Sequence, residues 1–236
     1  MSKGVVTPLA SYAARQQANT VRLKEEQLAS WVADREHWHD SCPLNADLAD
    51  SLTLVPVIDD RVVTATTDGR CIYFDARFSA TLEAAHRRYL QAHLVWHCAL
   101  GYLLPPPSSR TMWHLAWDHE INSLLLQQGY MLPTSAVLFF SKIPHPAHEV
   151  HDWLLTHPAL EQEATTDRLH AECRVHAPTS RTRLDPDFTP TPPDSRLIET
   201  WRSHTRMLAL DYQWTHHLPL PIATRMKHLA SFNMAD

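Results

Sequence analysis

The apolar positions of this chain fall mostly at helical spacing. Over residues 19–41, Val21, Leu28, Trp31, Val32 and Trp38 recur roughly every three or four residues, which predicts an amphipathic helix. Pro43 breaks it. The pattern then changes. The runs at 52–58, 61–67 and 70–78 are rich in β-branched and aromatic residues, and Thr67-Asp68-Gly69 is a turn signal between the last two, so a hairpin or small sheet is predicted. Helical spacing returns at Ser79. Ser79 or Thr81 is placed to cap the new helix, and Glu83 suits its positive end. It runs to about Leu104 and is stopped by three prolines at 105–107. Further helices are predicted over 111–128, closed by Gly129, over 146–157 and over about 195–215, with a short one in the tail. Residues 177–195 are rich in proline and poor in apolar side chains, and read as an extended loop or linker.

This order of elements gives the fold class: α+β, mostly helical, with a small β-hairpin or sheet. The length of 236 residues suits one large domain, or one domain with an appendage. The division expected is a domain over 1–160, a proline-rich loop or linker over 161–195, and a C-terminal helical segment over 196–236 that packs on the domain. The eight tryptophans sit at helical spacing and read as core packing.

Composition narrows the function classes. Net charge is −5 with histidine neutral, so there is no basic excess to neutralise phosphates and no nucleic-acid partner is expected. The apolar run at 136–140 is far too short to span a bilayer, and residues 1–17 lack a signal-peptide core. No membrane association and a cytoplasmic location are the expectations. Cys42, Cys71, Cys98 and Cys173 are widely separated, which fits reduced thiols rather than a disulfide framework. The chain has only 4 glycines and neither G-x-x-x-x-G-K-[ST] nor G-x-G-x-x-G, which argues against a phosphate-cradling loop. It has 17 histidines, a count high enough that each needs an ordinary explanation beside a metal one.

The chemistry concentrates in the helix from Ser79. His93 and His97 are four apart, so their imidazoles lie on one face about one turn apart. That is how one helix gives two nitrogens to a tetrahedral zinc. His86 is on the same stripe but two turns from His93, too far to share an ion in a straight helix. The alternative is a core helix whose imidazoles bond backbone or other protein groups. In the catalytic H-E-x-x-H form, a glutamate follows the first histidine and moves the proton of the metal-bound water. Here Leu94 stands in that place and can neither take that proton nor pass it to the leaving amine. His170, Cys173 and His176 form a weaker set at spacing three, read as a solvated or partner-facing stretch.

The flanks resemble a known family. Ala65, Thr67, Asp68, Gly69 and Tyr73 resemble its A-T-D-G-x-x-x-Y block with Thr66 inserted. His93 and His97 match its histidine pair. Trp113, Ala116, Asp118, Ile121, Asn122, Leu125, Gly129, Leu132 and Pro133 match a third block. Over residues 20–155 the chain resembles the H-E-x-x-H metallopeptidase domain associated with von Willebrand factor A-like domains in bacterial proteins. The resemblance implies a zincin-like core, zinc as the metal, and Asp118 as a third ligand beside His93 and His97. Asp118 also reads as a buried carboxylate bracing the Thr67–Gly69 turn, and Asn122 as a residue that bonds backbone. The resemblance further implies a protein partner, a MoxR-type AAA+ ATPase or a von Willebrand factor A-domain protein.

The departures are equally specific. Leu94 replaces the glutamate, and Tyr102 stands where many relatives carry another histidine. Nothing after residue 195 shows the alternating strands and helices of the von Willebrand-type domain. His114 and His119 offer nitrogens near Asp118 for a rearranged site. Glu120 is a candidate substitute base, although as neighbour of Asp118 it should point elsewhere. The expectation is a degenerate, metallopeptidase-like binding or regulatory component. The alternatives are an active metal-dependent hydrolase with a substitute base, and a metal-free adaptor.

Overall fold

The structure is a computed structural model that describes residues 8–103, 110–157, 182–218 and 220–231. The proline stop at 105–107 and the set His170, Cys173 and His176 lie outside the described residues. Helix α1 (Pro8–Ser41) and α2 (Pro43–Ala49) lead into strands β1 (Thr53–Val57), β2 (Ala65–Thr67) and β3 (Cys71–Asp75). Then come α3 (Ala76–Ser79), α4 (Ala84–Ala99), α5 (Arg110–Gln127), a 3-10 turn at Phe140–Lys142, α6 (Ala147–Thr156), α7 (Ser195–Asp211) and α8 (Leu220–Ser231). The class is as read: mostly helical, α+β.

The sheet order is β1-β3-β2. β2 and β3 form the expected hairpin, while β1 pairs with β3 in parallel. The hairpin turn is held by its own side chains. Asp68 Oδ1 accepts from the backbone N–H of Arg70 and Cys71, and Thr67 Oγ1 accepts from Gly69 N. Gly69 has φ +82°, a left-handed conformation that glycine enters without a Cβ clash. Its carbonyl accepts from the Trp201 indole at 2.8 Å, which ties α7 to the turn.

α4 is the central helix. Every residue from Tyr89 to Ala99 is buried, as expected of a helix enclosed on all sides. It packs on α1, α2, α5 and α7. Trp31 stacks on Phe74 at 4.1 Å and donates to Ser79 Oγ. Ser79 therefore serves the α1–α3 junction and does not cap α4, and Thr81 bonds the Phe78 carbonyl. The α4 N-cap is Glu83, without a side-chain cap bond. Asp75 caps α3 instead, accepting from Arg77 N and Phe78 N.

The described part of the proline-rich segment runs along the sheet side of the body. Asp185 accepts from Ile58 N and from Lys24, its own N–H donates to Asp59, and Thr191 N donates to Asp68 Oδ2. Phe188 packs edge-on to Tyr73 at 5.1 Å. Most tryptophans are core residues as read, but Trp214 is 87% exposed with φ +72°. It follows the end of α7, where helical spacing no longer implies a buried face.

Candidate metal centre

α4 and α5 pack directly on one another, and each brings its polar residues to the contact. The one-turn spacing of His93 and His97 puts both imidazoles on the α5 side, with ring centroids 4.8 Å apart. Asp118 enters from α5. The ligand-type atoms converge: His97 Nε2 lies 3.0 Å from His93 Nε2 and 3.2 Å from Asp118 Oδ1, and His93 Nε2 lies 3.5 Å from Asp118 Oδ1. His93, His97 and Asp118 are 0, 3 and 1% exposed. Among the described residues they are the group of histidine, cysteine and carboxylate side chains whose ligand atoms close to within 4.8 Å.

These residues fit a metal on three counts. Ligand atoms about 2.0–2.1 Å from a tetrahedral zinc lie about 3.3 Å from one another, and the three observed spacings bracket that value. Asp118 Oδ2 is buried with no hydrogen-bond partner among the described residues. A buried carboxylate oxygen left so is costly unless a cation faces it. The third count is the tautomer of His93. The Asn122 amide nitrogen donates to the Val137 carbonyl at 3.0 Å, which turns Asn122 Oδ1 toward α4. That oxygen accepts from the Tyr89 hydroxyl at 2.8 Å and lies 2.9 Å from His93 Nδ1. Since Asn122 Oδ1 only accepts, His93 carries its proton on Nδ1, and the Nε2 lone pair faces His97 and Asp118. Such an outward bond is what orients metal-binding imidazoles.

The electrostatics agree. A lone pair on His93 Nε2 and the Asp118 carboxylate meet in a closed space, and one proton on His97 Nε2 can serve only one of them. Burial pushes the Asp118 carboxyl above the usual carboxylate range, and a positive charge on His93 or His114 would pull it back. A divalent cation would pull much further in the same direction.

His119 and Glu120 are committed elsewhere. His119 Nδ1 accepts from Phe139 N, and its other nitrogen donates to the Lys142 carbonyl, so it braces the loop before α6. Burial holds its pKa down, opposed by that carbonyl. The Glu120 carboxylate accepts from Tyr102 Oη at 2.5 Å, from Ala147 N at 2.6 Å and from the Arg225 guanidinium. It points away from Asp118, as its place on the helix implied. Tyr102 sits edge-on to His97 at 6.2 Å and stacks on Trp117. His114 lies edge-on to Trp117 at 5.2 Å, outside the converging group. Leu94 is 0% exposed and belongs to the main apolar core. Sequence reasoning gave Asn122 a backbone bond, which it makes, but missed its hold on His93. The signal was present: Asn122 lies one turn beyond Asp118 on the same helix face.

A family model described as "Putative metallopeptidase domain" matches residues 33–193. No curated protein matches the chain, and neither does any solved structure.

Proposed function

The chain belongs to this metallopeptidase-domain family, and on that premise we propose that it is a metal-holding member that no longer performs ordinary peptidase chemistry. His93, His97 and Asp118 would hold one divalent metal, zinc by the chemistry of the donor set. A metal so bound supplies Lewis-acid polarisation of a coordinated oxygen. What the chain's own residues do is orient and exclude. Asn122 and Tyr89 fix the His93 tautomer, and the surrounding core keeps water from the ligand atoms.

What supports the proposal is the contrast between three converging donor atoms and the lack of a carboxylate at position 94. At position 94 the side chain is a buried leucine, and the nearby carboxylate of Glu120 is engaged by Tyr102, Ala147 and Arg225. General-base help is worth about 10²–10⁴-fold in rate, so a metal here without it leaves a weak hydrolase at best. The role proposed is binding or regulatory, with the partner a MoxR-type AAA+ ATPase or a von Willebrand factor A-domain protein, as the family resemblance implies.

The test is a peptide-hydrolysis assay on zinc-loaded protein beside His93→Ala. No difference between the two is the expected result. Robust hydrolysis lost in His93→Ala would overturn the loss of peptidase chemistry.

A further inference from the structure

One turn before the histidines, α4 lines a cavity of about 180 Å³. Phe78, Leu82, Tyr89, Leu90 and Pro133 supply its apolar lining. The mouth is polar. Ser135 is exposed there and His86 half-buried. His86, on the histidine stripe, lines this cavity and is not one of the converging group.

The cavity is joined to His93 from two directions. Tyr89 lines it and donates through its hydroxyl to Asn122 Oδ1, the oxygen that receives His93 Nδ1–H. Pro133 and Ser135 belong to the loop whose Val137 carbonyl accepts from Asn122 Nδ2. Both groups that hold the Asn122 amide therefore come from the cavity wall or the loop that forms it. A ligand that shifts either one changes how firmly Asn122 holds the His93 imidazole.

We infer that this cavity binds a single aromatic ring bearing one polar group, a phenol-like ligand, and that its occupancy alters metal affinity through Tyr89 and Asn122. An apolar cavity of roughly 150 Å³ accepts a benzene ring, so the size suits one ring. Phe78 and Tyr89 offer aromatic partners for it. The Ser135 hydroxyl and the His86 imidazole give a polar substituent its hydrogen bonds at the mouth, which a plain hydrocarbon would leave unused. The ring can come from a small phenol or from a tyrosine side chain of a peptide. The coupling half rests on the metal centre proposed above, whereas the binding half does not.

The test starts with metal-free protein titrated with p-cresol, and separately with a capped alanine-tyrosine-alanine peptide, followed by NMR. Saturable shifts of the Leu82 and Leu90 methyl groups are expected, together with a shift of the His93 ring nitrogens. Tighter binding of the peptide identifies a peptide source, and binding of cresol alone a small molecule. Leu82→Trp and, at the exposed rim, Ser135→Trp should abolish binding. In zinc competition titrations, saturating p-cresol should change the zinc dissociation constant by about fivefold or more, with the same factor appearing in cresol affinity when zinc is bound. Tyr89→Phe keeps the ring but cuts the link, so it should still bind cresol while the zinc effect shrinks to less than about twofold.

Absence of saturable binding, or binding that survives both tryptophan variants, overturns the site. Binding with unchanged His93 nitrogens and unchanged zinc affinity overturns the coupling, and coupling that persists undiminished in Tyr89→Phe overturns its route through Tyr89. A protein that takes no zinc sinks the metal reading alone, because the cavity and the His93 response are read without metal.

Discussion

Asn122→Ala isolates the group that sets the His93 tautomer. In the structure Asn122 Oδ1 accepts from Tyr89 Oη at 2.8 Å and from His93 Nδ1 at 2.9 Å, and Nδ2 donates to the Val137 carbonyl at 3.0 Å. Truncation leaves all three groups without this partner in a site where Asn122 is 1% exposed. A buried polar group stranded in this way costs about 1–3 kcal/mol, so three amount to about 4 kcal/mol once some are re-satisfied by entering water. At about 2–4 °C per kcal/mol for a domain of this size, the midpoint of thermal unfolding should fall by about 10 °C. Zinc affinity should fall by about 10–100-fold, the usual loss when a partner that orients a metal-binding imidazole is removed. Asn122→Asp is the informative companion. It keeps an acceptor for Tyr89 and His93 and loses only the donor to Val137, so its zinc affinity should exceed that of Asn122→Ala by several-fold. The assays are thermal unfolding of metal-free protein and competition titration with a chromophoric zinc chelator. An Asn122→Ala protein that melts and binds zinc like the wild type would refute the assignment of the His93 tautomer.

Three further outcomes follow from the same structure. Leu94→Glu writes an H-E-x-x-H sequence but puts a carboxylate at a 0% exposed position in the apolar core. Metal-free protein should lose more than about 3 kcal/mol in urea unfolding, and zinc should recover part of that loss; a neutral substitution would show that position 94 reaches solvent. Gly69→Ala adds a Cβ at φ +82°, within 2.7 Å of Leu103 Cδ1 and 2.9 Å of Leu197 Cδ2. The leucine ends can swing aside, so the backbone strain dominates and urea unfolding should show a loss of about 1–2 kcal/mol; an unchanged midpoint would contradict the turn geometry. Burial alone would raise the Asp185 carboxyl, yet Lys24 and the N–H groups of Ile58 and Asp187 hold it below the usual carboxylate range. Its stabilisation is therefore complete above the unfolded carboxylate value of about 3.9 and is lost as pH falls below it. Asp185→Asn should flatten the drop in melting temperature over that acid range, and an unaltered slope would remove Asp185 from the account.

The helices were legible because their apolar spacing is regular and proline and glycine mark their ends. Gly129, with φ +84° after α5, is a clear case. The first turns of α1 were not legible, since the described side chains from Tyr12 to Asn19 are exposed and carry no apolar stripe. The parallel pairing of β1 with β3 depends on contacts across the chain that no local pattern encodes. Ser79 was a fair cap candidate by residue type, but the Trp31 indole and the Gln27 side chain compete for its hydroxyl and win it. At the centre, spacing alone put His93 and His97 on one face, and the resemblance pointed to Asp118. Their closeness to one another is a property of how α4 meets α5. The hold of Asn122 on His93 lay further from view, because Tyr89, Val137 and Asn122 come from three separate segments and only the packed chain brings them together.

The central claim is that His93, His97 and Asp118 hold one metal ion, and metal content measured by plasma mass spectrometry on zinc-reconstituted, desalted protein tests it most directly. The account predicts one equivalent of zinc per chain in the wild type, and background levels in folded His93→Ala and Asp118→Ala. No zinc in the wild type, or an undiminished equivalent in both variants, would contradict it.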